Sequence, residues 1–247
     1  MFGTQPPSES TPGLSRLDVP QDVSDLVQIF LLDLDIASRH LEQALPFLTL
    51  QEHQYLERFR HSADQQRFAL SRACLKQLLG AHLDITPEAI RLQSASHGKP
   101  ELAPGSGAGK VHFNVSHASR YALLAISEQG PLGIDIEQQD PNRPLDALAL
   151  QLLSPGERAR HTPSLSAPDF YRYWTAKEAI CKALGWGIGE HLVHFSITPA
   201  PTASARIHVS HLGQPLEACG LWPLAVPAGY AAALCLWRGP LLPAPAL

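Results

Sequence analysis

No uninterrupted apolar run in the chain approaches the roughly 18 residues that a membrane-spanning helix needs, so no membrane partner is expected. Cysteine is sparse: Cys74, Cys181, Cys219 and Cys235 are scattered, with no CxxC pair and no close-set framework. That argues against a structural zinc site and a disulfide scaffold, and fits a reducing cytoplasm. Positive charge is not in excess either. Lys and Arg number 19 against 23 Asp and Glu, a formal net charge of −4, so no global basic field points to nucleic acid. Any anionic ligand must then be held by locally placed cations. The opening residues, MFGTQPPSESTPG, lack the basic and apolar blocks of a signal peptide, and a cytoplasmic location is expected. What remains is ordinary for a globular protein: 247 residues, 45% hydrophobic and 17% charged, enough for one large domain or two small ones.

Residues 1–25, rich in Pro, Ser, Thr and Asp, read as a flexible lead-in, and the Pro-rich residues 239–247 as a flexible tail. Between them the hydrophobic period changes repeatedly. Residues 27–33 alternate like a strand. Thr49/Glu52, Ser62/Gln65 and Ser154/Glu157 carry the spacing of helix-opening capping boxes, and Pro155 suits a first helical position. Helices are expected over 63–80 and 168–184, the latter stopped by Gly185. Strands are expected over 90–95, 111–116, 121–127, 132–137, 192–198, 205–210 and 230–237. Both halves read as a strand, then helices, then more strands. The expectation is an α+β chain with an N-terminal subdomain over 26–130 and a C-terminal one over 131–238.

Several segments could carry chemistry. In Gly133-Ile-Asp-Ile-Glu137, alternation along a strand puts Asp135 and Glu137 on one face, where a hard divalent cation would relieve their repulsion. Alone the pair is weak, because about two acidic-x-acidic pairs are expected by chance and two occur, the other being Asp33 with Asp35. Trp174, Glu178 and Lys182 share a helix face. On their own they read as a surface Glu–Lys pair beside an aromatic. Glu178 next to Asp135 and Glu137, however, would complete a three-carboxylate metal site with Lys182 at its rim. Asn114-Val-Ser-His117 could present a hydroxyl and an imidazole from a strand end, or be a plain turn. Arg58, Arg60, Arg67 and Arg72 could bind phosphate or form a solvated basic face.

Taken in order, Gly98-Lys-Pro100, Phe113-Asn-Val-Ser-His117, Gly133-Ile-Asp-Ile-Glu137 and Trp174-Thr-Ala-Lys-Glu-Ala-Ile-Cys-Lys182 resemble the 4′-phosphopantetheinyl transferases of the surfactin-synthetase-activating (Sfp-like) type. The stretch from Arg58 to Arg67 is also similar to that family's N-terminal phosphate-binding segment, and the resemblance spans about residues 27–237. It implies two pseudo-symmetric subdomains with coenzyme A in the cleft between them. It also implies Mg²⁺, or Mn²⁺, on Asp135, Glu137 and Glu178, and contacts of His117 and Arg67 with the 3′-phosphate. Gly98, Lys99 and Pro100 correspond to the adenine-side loop, Ser116 lies beside His117, and Lys177 and Lys182 match lysines near the diphosphate. Where the family can carry lysines before its Arg-Phe segment, this chain has Gln51, Glu52 and Tyr55. That shifts the expected phosphate contacts toward Arg67, Arg72 or Arg60.

The reaction so implied is attack of a serine hydroxyl of an apo acyl or peptidyl carrier protein on the β-phosphorus of coenzyme A, releasing 3′,5′-ADP. Glu178 is expected to act as base, with a water relay as the alternative, and Lys182 to stabilise or protonate the leaving phosphate. The protein is expected to be a monomer. A Mg²⁺-dependent phosphohydrolase would use similar carboxylates with water as acceptor. A non-catalytic carrier or coenzyme A binding module would tolerate loss of Glu178.

Overall fold

The computed structural model describes residues 11–95, 98–161, 165–187, 191–198 and 205–243. The alternating segment near residue 30 becomes β2 (Gln28–Asp33). It pairs antiparallel with β1 (Leu14–Arg16) and with β6 (Tyr121–Ser127), and β5 (His112–Ala118) completes the sheet β1-β2-β6-β5. Between β2 and β5 come the short helices α1 (Leu34–Ala37), α2 (Leu41–Ala44) and α3 (Leu50–Leu56), then the long α4 (Ser62–Leu83). A hairpin of β3 (Leu92–Ser94) and β4 (Pro100–Leu102) follows. Thr49 and Glu52 form the expected capping box at the start of α3. Ser62 does not cap α4: the N-cap is His61, Ser62 already lies in the first turn, and the Gln65 amide donates to the Phe59 carbonyl at 3.3 Å instead.

The C-terminal half runs β7 (Leu132–Gln138), α5 (Leu145–Leu152), α6 (Pro155–Arg160) and α7 (Ala167–Leu184). A small sheet of β8 (Phe195–Thr198), β9 (His208–His211) and β10 (Gln214–Pro215) comes next, then the closing hairpin β11 (Cys219–Pro223) and β12 (Tyr230–Trp237). The Ser154/Glu157 capping box opens α6 with Pro155 in its first turn. Ser166 caps α7, and Gly185, at φ +73°, ends it. In each half the last strand inserts beside the first, giving β2-β6-β5 and β7-β12-β11. Each half also carries one long helix. The expected α+β architecture of two pseudo-symmetric subdomains is the one adopted.

Alternation along the strands divides the core. Phe30, Leu32, Leu124 and Ile126 face Leu70, Cys74, Leu75, Leu78 and Leu79 of α4. Ala231, Ala233, Cys235 and Trp237 face α7. The opposite faces, with Ile29, Leu123, Ala125, Ile134, Ile136, Leu234 and Leu236, share a third cluster that joins the two sheets. No helix among the described residues is long and apolar enough to cross a membrane.

The structure corrects several expectations. Within the lead-in, residues 14–16 form β1, Val23 is wholly buried, and Asp22 accepts from the Trp222 indole at 2.9 Å. In the tail, the Leu242 carbonyl accepts from the Trp186 indole at 3.2 Å. Both termini are therefore tied to the fold as far as they are described. The expected strand at 192–198 opens with a 3₁₀ turn, Leu192–His194, and the one at 205–210 begins only at His208. Strands β1, β4, β10 and β11 and helices α1, α2 and α5 were not anticipated. β4 begins with a proline and is three residues long, too short for a period to declare itself.

Candidate active site

Strand β7 and helix α7 bring the acids together. Gly133, Asp135 and Glu137 alternate onto the face that meets α7, and Gly133 lets the helix come close. A Cβ there would stand 2.0 Å from the Ala179 carbonyl oxygen and 2.5 Å from the Ala183 nitrogen. On α7, Trp174, Glu178 and Lys182 recur every four residues along the facing stripe. Asp135, Glu137, Trp174, Glu178 and Lys182, with Ser116 and His117 at the end of β5, line one cavity of about 240 Å³.

The free edge of β7 is held by side chains of β5 rather than by a strand ladder. Asn114 Oδ1 accepts from the Ile134 amide at 2.9 Å, and Ser116 Oγ accepts from the Ile136 amide at 3.4 Å. The matching two-residue spacing on both strands makes this clamp possible. Ser116 Oγ also donates to Asp135 Oδ1 at 2.8 Å. Lys182 Nζ reaches Asp135 Oδ1 at 2.6 Å and Ser116 Oγ at 3.1 Å. The partner of Lys182 is thus Asp135 across the seam, not Glu178 one turn back on its own helix.

Among the described residues three buried carboxylate oxygens have no hydrogen-bond partner: Asp135 Oδ2 and both oxygens of Glu178, whose residue is 2% exposed. Buried polar atoms left this way are rare and call for a cause. Burial, followed by the charge of Asp135, pushes the Glu178 carboxyl up to about 7, and Glu137 adds to the effect while Lys182 opposes it. Burial and then Asp135 also raise Glu137. Among the described residues no three His, Cys, Asp or Glu side chains are already drawn into a metal cage. The three acids nevertheless face one cavity.

His117 also lines a second, larger cavity of about 530 Å³, between α3, α4 and the β3–β4 hairpin. Gly98, Pro100, Ser71 and Arg72 contribute to its wall. Burial lowers the His117 pKa, and the charges of Arg67 and Lys182 push it the same way. Arg72 lies over the Phe68 ring at 5.0 Å and 3.5 Å from Glu52 Oε1. Tyr55 packs on Phe68 and Phe59 with ring centroids 5.0 and 5.2 Å apart. This aromatic wall was not anticipated as part of a site. Its only sequence signal was the aromatic placement of Tyr55, Phe59 and Phe68 around the arginine cluster. Asn114 was named only as one polar group of its motif.

Some expected contacts fall elsewhere. Lys177 is wholly buried and bonds Glu157 Oε2 at 2.6 Å and the Leu152 carbonyl at 2.7 Å, on the side of α7 away from both cavities. It forms a core ion pair and lines neither cavity. Lys99 sends its ammonium to the Lys182 and Leu132 carbonyls, at 2.6 and 3.3 Å, rather than into the larger cavity. The Ser116 hydroxyl is committed to Asp135 and the β7 backbone. Arg67 pairs with Asp64 one turn earlier and lines neither cavity, although its charge is felt at His117. Arg60 is exposed and precedes α4, so it does not share a helix face with Arg67. Asp33 caps α1 and pairs with Arg120, a structural role. His97, beside the adenine-side loop, lies outside the described residues.

The comparisons with known proteins match the chain in the same two halves. Residues 36–129 match the family model of the 4′-phosphopantetheinyl transferase N-terminal domain, and residues 131–235 that of the 4′-phosphopantetheinyl transferase superfamily. The chain is 31% identical over 201 residues to the 4′-phosphopantetheinyl transferase HetI of Nostoc sp., covering 79% of this chain and 83% of that protein. It is 25% identical over 211 residues to the 4′-phosphopantetheinyl transferase Sfp of Bacillus subtilis, covering 83% and 88%. With the human L-aminoadipate-semialdehyde dehydrogenase-phosphopantetheinyl transferase it shares 29% over 162 residues, covering 60% and 52%. Adjoining family matches on both halves, and a relative of this identity aligned over most of both chains, make this protein a member of the 4′-phosphopantetheinyl transferase superfamily and a transferase by trade.

Proposed function

We propose that the protein moves the phosphopantetheine arm of coenzyme A onto a serine of an apo acyl or peptidyl carrier protein, within the surfactin-synthetase-activating type of the superfamily. The observation that carries the detailed reading is the pairing of cavities at His117. One is walled by aromatics and Arg72, and the other by Asp135, Glu137, Glu178 and Lys182. The first suits a nucleotide with a phosphate. The second suits a diphosphate that needs a cation. Four free buried cysteines suit a cytoplasmic protein.

In this reading Arg72 and His117 hold the nucleotide end, with Arg67 adding positive field. Glu178 takes the proton of the carrier serine, directly or through a water, as the serine Oγ bonds to the β-phosphorus. The bond from that phosphorus to the bridging oxygen breaks, and 3′,5′-ADP leaves. Lys182 stabilises the charge that grows on the leaving phosphate. Partnerless carboxylate oxygens form an all-oxygen donor set suited to Mg²⁺ or Mn²⁺, and Asp135, Glu137 and Glu178 would hold it. Such an ion supplies charge neutralisation on the diphosphate when bound.

The test is intact-mass analysis of an apo carrier protein incubated with the enzyme, coenzyme A and Mg²⁺. A gain of about 340 Da on the carrier serine is expected, lost with EDTA and reduced at least ~10²-fold in rate by Glu178→Gln. Phosphate or nucleotide release with an unmodified carrier would support a hydrolase instead.

A further inference from the structure

The Gly98-Lys-Pro100 loop faces two ways. Gly98 and Pro100 border the larger cavity, while the Lys99 side chain, following Gly98 at φ +76°, turns into a separate cavity beside Leu132 and the end of α7. Its ammonium crosses from the N-terminal half to the C-terminal one. It donates to the carbonyl of Lys182, in the last turn of α7, at 2.6 Å, and to that of Leu132, the first residue of β7, at 3.3 Å. Last-turn carbonyls lack full intrahelical partners and carry the negative end of the helix dipole, so a cation there is held twice over. The side chain of Lys182 runs the other way, to Asp135 Oδ1 at 2.6 Å and the Ile134 carbonyl at 3.3 Å. A single residue thus has its backbone tied to the loop of one cavity and its ammonium set in the other.

We propose that Lys99 is a positioning residue that links the loop of the larger cavity to the placement of the Lys182 ammonium, acting through α7 rather than by touching the donor. The proposal rests on the reading that Lys182 serves the transfer. Lys99 anchors the end of α7 to the loop, and that anchorage fixes where the Lys182 ammonium meets Asp135. Without the Lys99 ammonium, donor binding persists but the Lys182 contact is no longer fixed.

The experiment is a double-mutant cycle in steady-state carrier modification. Lys99→Met removes the ammonium and keeps the apolar stem. It should lower kcat between about 10- and 100-fold while leaving KM for coenzyme A within about 2-fold, and Lys99→Arg should restore most of the loss. In a Lys182→Arg background, Lys99→Met should add little, because both act through one group. A raised KM at unchanged kcat would mean that Lys99 contacts the donor, and multiplicative losses would mean that it acts independently of Lys182. Either result overturns the proposal. Wild-type kcat in Lys182→Met would sink the role of Lys182 itself, whatever Lys99 does. Should Lys99→Met fail to fold by circular dichroism, Lys99→Gln carries the same cycle with the same two overturning results.

Discussion

Lys177 and Lys182 sit five residues apart on α7, which turns them about 140° from each other around the helix axis. That rotation alone prevents both from serving one site, and the structure gives them opposite tasks. Lys182 faces the acids, whereas Lys177 lies in the core against Glu157. Glu157 is occupied on every side: it closes the Ser154 capping box and accepts from the Ile197 amide at 2.7 Å as well as from Lys177. Removing the lysine leaves a buried carboxylate without its counter-charge. Lys177→Met is therefore expected to destabilise the fold by about 3–5 kcal/mol in urea denaturation, with KM and kcat of the remaining folded enzyme unchanged. A raised KM for coenzyme A in a stable variant would return Lys177 to the binding site. The resemblance put both lysines near the diphosphate, although the helical spacing separates them. What Lys177 touches was not readable, because Glu157 lies 20 residues away in sequence.

At the scale of elements, the site depends on how closely α7 approaches β7. Ala176, Ala179 and Ala183 are fully or almost fully buried along the contact, and Gly133 supplies the missing side chain on the strand. The obstacles to a Cβ at Gly133 are backbone atoms, which cannot swing aside. Gly133→Ala is expected to push the helix outward, destabilise the protein by about 3 kcal/mol and separate Glu178 from Asp135. The loss of carrier modification should exceed what the unfolded fraction explains, a comparison that denaturation and rate measurements make together. Full activity in a stable Gly133→Ala protein would show that the close approach does not set the acid spacing. The strand and helix themselves were readable from their periods and from Gly185. Ser62 misled because a Ser-x-x-Gln spacing records an opportunity for a cap, and here His61 takes the position.

The stability of the whole molecule should report the acidic cavity. Glu178 titrates near pH 7 in the folded chain, against an ordinary value of 4.5. Below pH 4.5 both states carry the proton and nothing is lost. Between 4.5 and 7 the folded state holds its proton more tightly, so the stabilisation fades as pH rises and is gone above 7. For the metal-free protein this contribution amounts to about 3 kcal/mol across that window, and Glu178→Gln should remove it from the difference between pH 5 and pH 8 profiles. Millimolar Mg²⁺ at pH 8 should raise the wild-type melting temperature and leave the Gln variant nearly unmoved. Equal pH slopes in the two proteins would show that Glu178 is not the group whose burial is felt.

The sequence by itself determined the family, the α+β class, the two long helices and most strands. Each of these is written in local periods, terminators and ordered motifs that need no distant partner. It also placed Asp135, Glu137, Glu178 and Lys182 correctly on their faces, because alternation along a strand and the turn of a helix are properties of neighbouring residues. Only the tertiary structure decided which groups meet. Lys182 meets Asp135 rather than Glu178, the Ser116 hydroxyl meets Asp135, and Lys99 meets the end of α7. Those choices depend on α7 packing on β7 and on β5 docking beside β7, contacts between residues far apart in sequence that leave no mark in any local pattern.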